Sequence, residues 1–471
     1  MVFSSLEFLF AYFPITLIAY FAVPHKNLKF RNLVLFIVSL AFYGWGEPVY
    51  VFIMILSIAI DYTCGWGCNK YRGNKKIAKR FLLASVILNL SILGFFKYCD
   101  FFIINLRYIP FLSGLKPLGL PLPIGISFYT FQTMSYTLDI YLGQATVQRN
   151  IVSFGAYVTL FPQLIAGPIV RYQDVDGMLR ERDENAALFS SGVRTFIAGL
   201  SKKILLANAA GALWESFRVI PPHSRTVVGC WLGIIFYTFQ IYFDFSGYSD
   251  MAIGLGKMLG FRFLENFNYP YMAESITEFW RRWHMSLSTW FREYVYFPLG
   301  GSRCSPFKTY RNIFIVWFLT GFWHGASWNY IIWGLYYFAL LVIEKTFLFK
   351  ALKKAPVFIQ RFYALFFILF GWLIFVFEDI KAGAIYFGNM FGVGGRGFIT
   401  MSDVYDILRN LVFAAICVIA CTPYPKKIFY SLYEKSATAR TSTVVCGAAA
   451  LFISVAYLVD SSFNPFLYFR F

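Results

Sequence analysis

Two of the four histidines in this chain stand where an imidazole could move a proton. From Asn312 to Ile343 the sequence carries no Asp, Glu, Lys or Arg, and His324 lies near the middle of that run. At 1.5 Å of rise per residue, the helical steps from Arg311 place it roughly 20 Å along a helix, close to the mid-plane of a bilayer. An ionisable side chain at that depth is costly, so its presence points to function. The alternative is a histidine hydrogen-bonded to a neighbouring helix. Removal from water favours the neutral imidazole, the form that can act as a base. Gly321 and Gly325 flank it and let backbone or substrate approach closely, while Trp323 and Trp328 can wall the site from water. His25 and His223 fall in loops and are assigned no chemistry.

His284 belongs to a different pattern. Ser275-Ile-Thr-Glu278 has capping-box spacing, which predicts a helix from about 276 to 296, before Pro298. On such a helix Glu278, Arg281, His284, Ser288 and Arg292 share an arc of about 120°, while Phe279, Trp280, Trp283, Leu287, Trp290, Phe291 and Tyr294 take the opposite one. This is a long amphipathic helix with His284 on its polar stripe. Arg281, Arg282 and Arg292 on it belong either to a site or to the solvated charges of an interfacial helix. A further polar cluster, Asp244-Phe-Ser-Gly-Tyr-Ser-Asp250, follows an apolar run at 226–244. Carboxylates at a helix end can orient a histidine, bind a metal or be solvated. A P-loop, a GxGxxG after a strand and Ser-His-Asp hydrolase signatures are all missing.

The elements that must hold these residues are set by composition. Of the 471 residues 58% are hydrophobic, 21% aromatic and 14% charged, against about 25% charged in a soluble globular protein. Water-soluble enzymes, disordered chains and disulfide scaffolds are excluded. Apolar runs recur at about 7–24, 32–46, 48–66, 81–98, 122–141, 151–168, 226–244, 312–325, 327–344, 358–377, 408–422 and 441–459. The expectation is an all-α polytopic membrane protein of 10–12 transmembrane helices with interfacial and re-entrant helices, folded as a single domain over 1–471. The stretch 190–217, which contains Lys202 and Lys203, reads as an interfacial helix. The run 7–24 reads as a retained span, with no basic region before it and no cleavage site after it.

The net charge of +18 is explained by the membrane and not by nucleic acid. Lys26, Lys29 and Arg31 lie between the first two runs, and Lys70, Arg72, Lys75, Lys76, Lys79 and Arg80 between the third and fourth, whereas Gly46-Glu47-Pro48 has no base. The positive-inside rule puts both basic loops in the cytoplasm and the N-terminus outside. Leu120-Pro-Leu-Pro-Ile-Gly125 and the proline-broken 161–168 interrupt helices, as irregular backbone beside an internal cavity does; helices ending at the interface are the alternative. The cysteine pairs Cys64/Cys68 and Cys417/Cys421 have the spacing of a helix face and read as buried thiols, with no metal site.

Taken together, Glu278-Phe-Trp-Arg-Arg-Trp-His-Met-Ser-Leu-Ser-Thr-Trp-Phe-Arg292 and Leu319-Thr-Gly-Phe-Trp-His-Gly-Ala-Ser-Trp-Asn329 resemble the two signatures of membrane-bound O-acyltransferases. The likeness to the alginate O-acetyltransferase-like branch extends over Pro121-Leu-Pro-Ile-Gly-Ile-Ser-Phe-Tyr-Thr-Phe-Gln132, 161–171, 244–250 and the closing 464–471. The resemblance implies helices around a central funnel, catalytic His324 accompanied by His284, and a substrate site drawing on Arg281, Arg282, Ser288, Arg292, Trp323, Asp244 and Asp250. It further implies acetyl-CoA or another acyl thioester as donor, with no tightly bound cofactor or metal. A bacterial plasma membrane, a secreted or membrane-tethered acetyltransferase partner and a polysaccharide acceptor (alginate-like or peptidoglycan) complete the expectation. D-alanyl transfer to teichoic acid and, from another class, a membrane transporter are the rivals.

Overall fold

A computed structural model describes residues 2–165 and 167–460; the closing motif at 464–471 lies outside the described residues. Among these the regular elements are helices, with one isolated bridge between Thr226 and Gly397. Among the described residues, eight helices are long and apolar enough to cross a membrane: Leu28–Gly46, Val51–Lys70, Lys75–Leu106, Ala186–Arg218, Val227–Met258, Trp328–Leu352, Val357–Val376 and Ala437–Asp460. A ninth is formed if Met401–Ala420 and Tyr424–Lys435, bent by 69°, count as one span. The chain is a multi-pass membrane protein.

The difference from ten to twelve runs has local causes. The run 122–141 forms the helix Ile126–Leu142, buried along nearly its whole length, and 151–168 breaks into Ile151–Thr159 and Phe161–Leu164. The first run forms a shorter apolar helix, Phe8–Ala22. Conversely, 190–217, read as interfacial, lies within Ala186–Arg218, a helix long and apolar enough to cross a membrane. Its lysine is compatible with that because Lys203 Nζ lies 2.6 Å from Asp244 Oδ1, in an ion pair almost wholly buried. The polar cluster 244–250 is likewise not at a helix end, since Val227–Met258 is helical throughout.

The chain forms two compact units, Met1–Phe196 with Tyr248–Leu264, and Ile197–Gly247 with Glu265–Phe471. In the first, the two irregular segments approach each other closely, and protein groups satisfy polar atoms of the second. Gly125, at φ 73°, sits so close to the backbone that a Cβ would lie 2.7 Å from the Leu164 carbonyl oxygen. The Phe161 amide donates to Ser39 Oγ at 3.1 Å, and Gln163 Nε2 donates to the Tyr157 carbonyl at 2.6 Å. Arg31, read as a loop base, is instead buried on Leu28–Gly46, bonded to the Val23 carbonyl and paired with Glu184. The bases from Lys70 to Arg80 are exposed. Cys64, Cys68, Cys417 and Cys421 are free and buried.

The second unit contains both signature histidines. Pro306–His324 and Trp328–Ile343 pack as a tight hairpin. A Cβ at Gly321 would stand 2.3 Å from the Tyr330 carbonyl oxygen, and one at Gly334 would stand 2.4 Å from that of Trp317. These glycines let two helices touch through their backbones, the contact that helix pairs in lipid favour.

Candidate active site

His324 is the last residue of its helix, with the break 325–327 immediately after it. The ring is 6% exposed and meets Trp323, Trp333 and Phe375 edge-on, at centroid distances of 5.1, 5.0 and 5.3 Å. Asn329 ties the break to the helix Val357–Val376 by donating to the Phe375 carbonyl at 3.1 Å, which fixes Phe375 beside the histidine. A Cβ at Gly325 would fall 2.2 Å from the Tyr330 ring and one at Gly321 2.3 Å from the Tyr330 carbonyl oxygen, so Tyr330 takes the Cβ side of both glycines. The C-terminal end of a helix carries partial negative charge and favours the imidazolium that forms when a base takes a proton.

His284 departs further from its expected place. No continuous helix spans 276–296: Ile276–Arg282 ends, His284 adopts φ 46° and ψ 52°, and Met285–Phe291 begins anew. The polar stripe is therefore broken at its centre, and the ring is 2% exposed instead of facing water. Among the described residues, His284 and Tyr269 are the two non-glycine positions with positive φ. Such backbone is held only where its surroundings enforce it. Asn266 does so: its Oδ1 lies 3.2 Å from His284 Nδ1 and accepts from the Ser286 amide and hydroxyl at 3.2 and 2.9 Å, while its carbonyl accepts from the Met285 amide at 2.9 Å. Phe245 stands edge-on to the imidazole at 4.7 Å. Burial pushes the His284 pKa down to about 3, so the ring is neutral at physiological pH.

Trp323 connects the two, with centroids 6.1 Å from His284 and 5.1 Å from His324. The remaining expected residues divide. Arg281 is exposed, and Arg292 is exposed with contacts to Thr289 and Glu293. Arg282 is committed to Glu278, at 2.6 Å, and to the Asn268 carbonyl, while Ser288 Oγ donates to the Trp280 carbonyl. The capping box is half formed: Ser275 accepts from the Glu278 amide, but Glu278 accepts from Glu274. Asp244 is held by Lys203 in a buried ion pair, and Asp250 falls in the first unit. Two functional-looking residues had no sequence signal strong enough to single them out. Asn266 is an ordinary polar residue in a loop, and fully buried Glu344 sits just past the charge-free run.

The sequence profile of the membrane-bound O-acyltransferase family (MBOAT) matches residues 126–386. The chain is 37% identical, over the whole of both sequences, to a protein of Azotobacter vinelandii named "Probable alginate O-acetylase AlgI". It is also 31% identical to a peptidoglycan O-acetyltransferase of Helicobacter pylori, covering 100% of this chain and 98% of that one. A teichoic acid D-alanyltransferase of Bacillus subtilis is 30% identical but covers 49% of this chain and 62% of its own length. This chain belongs to the membrane-bound O-acyltransferase family. For an O-acyltransferase, a neutral imidazole at a water-poor site is a competent base toward a hydroxyl. The matched region 126–386 includes both histidines, Trp323 and Asn266.

Proposed function

We propose that this O-acyltransferase takes an acetyl group from a cytoplasmic thioester, acetyl-CoA or a carrier-bound acyl group, and delivers it across the plasma membrane of a bacterium for O-acetylation of an extracytoplasmic polysaccharide. The acceptor is an alginate-like exopolysaccharide or peptidoglycan, reached with a secreted or membrane-tethered acetyltransferase partner. The observation that carries the reading is Trp323 bracketed by two buried histidines in one unit. The full-length likeness to the alginate and peptidoglycan O-acetylating relatives supports acetyl over D-alanyl transfer, since the D-alanyltransferase relative matches about half the chain.

In this reading His324 accepts the proton of the attacking hydroxyl as its oxygen bonds to the thioester carbonyl carbon. The carbon–sulfur bond then breaks, and the departing thiolate takes a proton, so the acyl ester and free thiol are the products. Trp323, Trp333 and Phe375 keep water from competing as acceptor. Arg281 and Arg292 meet the phosphates of the donor. His284 orients the thioester or carries the proton onward. The test is acyl turnover by the purified protein in vesicles, with acetyl and D-alanyl thioesters compared. Mass spectrometry of envelope polymers from cells with and without the protein names the acceptor. Preference for the D-alanyl donor, or transport without acyl transfer, would replace this reading.

A further inference from the structure

We infer that Asn266 is a positioning residue that holds His284 in a single tautomer, with the proton on Nδ1 and the lone pair on Nε2. The inference rests on the proposed part of His284 in acyl transfer. Its first support is a hydrogen-bond inventory. The backbone amide of Ser286 can only donate, and it lies 3.2 Å from Asn266 Oδ1, so the face of the carboxamide turned to this loop is its oxygen. An oxygen of that kind accepts and cannot donate. Ser286 Oγ, 3.5 Å from Nδ1, gives its own hydrogen to Asn266 Oδ1 at 2.9 Å, so it is the His284 Nδ1, 3.2 Å from that oxygen, that carries the hydrogen between them. In a neutral imidazole the other nitrogen is then the acceptor, and it is Nε2 that can take a proton.

The second support is the backbone around the pair. Asn266 accepts from the Met285 amide through its own carbonyl, and the Asn268 amide donates to the Arg282 carbonyl at 2.9 Å. The loop 266–268 is thus laced to both sides of the left-handed residue, and Phe245 fixes the ring from another helix. The third is the position of His284 itself. A left-handed histidine between two short helices is strained backbone, and Asn266 contributes both its side-chain oxygen and its carbonyl to holding it there. A cap for the helix Met285–Phe291 would need the Ser286 amide alone. The same oxygen reaching the imidazole adds control of which nitrogen is basic.

The experiment uses the full-length protein, labelled with ¹⁵N-histidine and placed in lipid nanodiscs, with the His284 signals identified by their loss in His284→Asn. Nitrogen shifts separate protonated from bare ring nitrogens. The expected wild-type spectrum has a protonated Nδ1 and a bare Nε2 at His284. Asn266→Leu should mix or reverse the tautomers and lower kcat by about 10²-fold or more, with donor KM little changed. Asn266→Asp, which keeps an oxygen at the same place, should keep the proton on Nδ1. A wild-type proton on Nε2, or an unaltered tautomer in folded Asn266→Leu, overturns the inference; the wild-type spectrum decides even if the leucine variant does not fold. Full activity of His284→Asn would instead overturn the proposed role of His284 and leave the tautomer assignment standing.

Discussion

Glu344 accepts both the amide and the hydroxyl hydrogen of Thr277, at 2.9 and 2.6 Å. It also takes the Ile276 amide at 2.6 Å, so one fully buried carboxylate satisfies the first turn of the short helix that leads to His284. Because Glu344 directly follows the helix Trp328–Ile343, the partner of the His324 helix, this contact joins the two histidine-bearing segments. Replacing Glu344 by Gln turns an amide donor toward these donors. The expected cost is about 1.5–3 kcal/mol of stability, read by thermal unfolding in detergent, together with a fall in kcat. An unchanged melting curve would show that the cap does not anchor the helix.

The Lys203–Asp244 pair is expected to act on stability and not on donor binding. Removing one partner leaves a buried charge, so Asp244→Asn or Lys203→Met alone should cost about 3–5 kcal/mol, while the double variant Lys203→Met with Asp244→Leu should recover much of it. The measurement is a double-mutant cycle by thermal unfolding. A stable Asp244→Asn protein whose donor KM rises would return Asp244 to the substrate site.

Arg281 and Arg282 are neighbours with different duties. Arg281 is exposed, whereas Arg282 is spent on Glu278 and Asn268. Arg281→Gln combined with Arg292→Gln should raise the apparent KM for acetyl-CoA, and the rise should shrink as salt screens the wild-type attraction. Arg282→Gln should affect stability more than KM. Equal KM values in wild type and the double variant would leave the exposed arginines as a solvated face.

Much of this arrangement was legible in the residue types. The charge-free run around His324 announced a buried histidine, and the structure buries it at a helix end. The period of apolar and polar residues around His284 predicted one helix, because a left-handed residue leaves no trace in hydrophobic spacing. It is the tertiary lacing by Asn266 that breaks the helix there. Gly321 and Gly325 signalled close approach but not by what, and it is Tyr330 that approaches both. Lys203 read as an interfacial charge because its partner lies about forty residues away in sequence, beyond any local pattern.

The proposed topology places the loop that contains Lys75 in the cytoplasm and the N-terminus outside. With the exposed Cys446 and the partly exposed Cys99 and Cys304 replaced by Ser, Lys75→Cys in intact cells should resist an impermeant maleimide and react only after permeabilisation. Reaction in intact cells would reverse the topology and move the donor side with it.

The central claim is that His324 carries the transfer step. It is tested most directly by turnover of acetyl-CoA with a hydroxyl acceptor, using purified full-length wild-type and His324→Ala protein in vesicles. Loss of a general base costs about 10²–10⁴-fold in rate, and that loss is expected here while the variant still inserts and purifies normally. His324→Gln should not restore activity, because an amide cannot accept the proton at neutral pH. Near-wild-type turnover by folded His324→Ala protein would contradict the account.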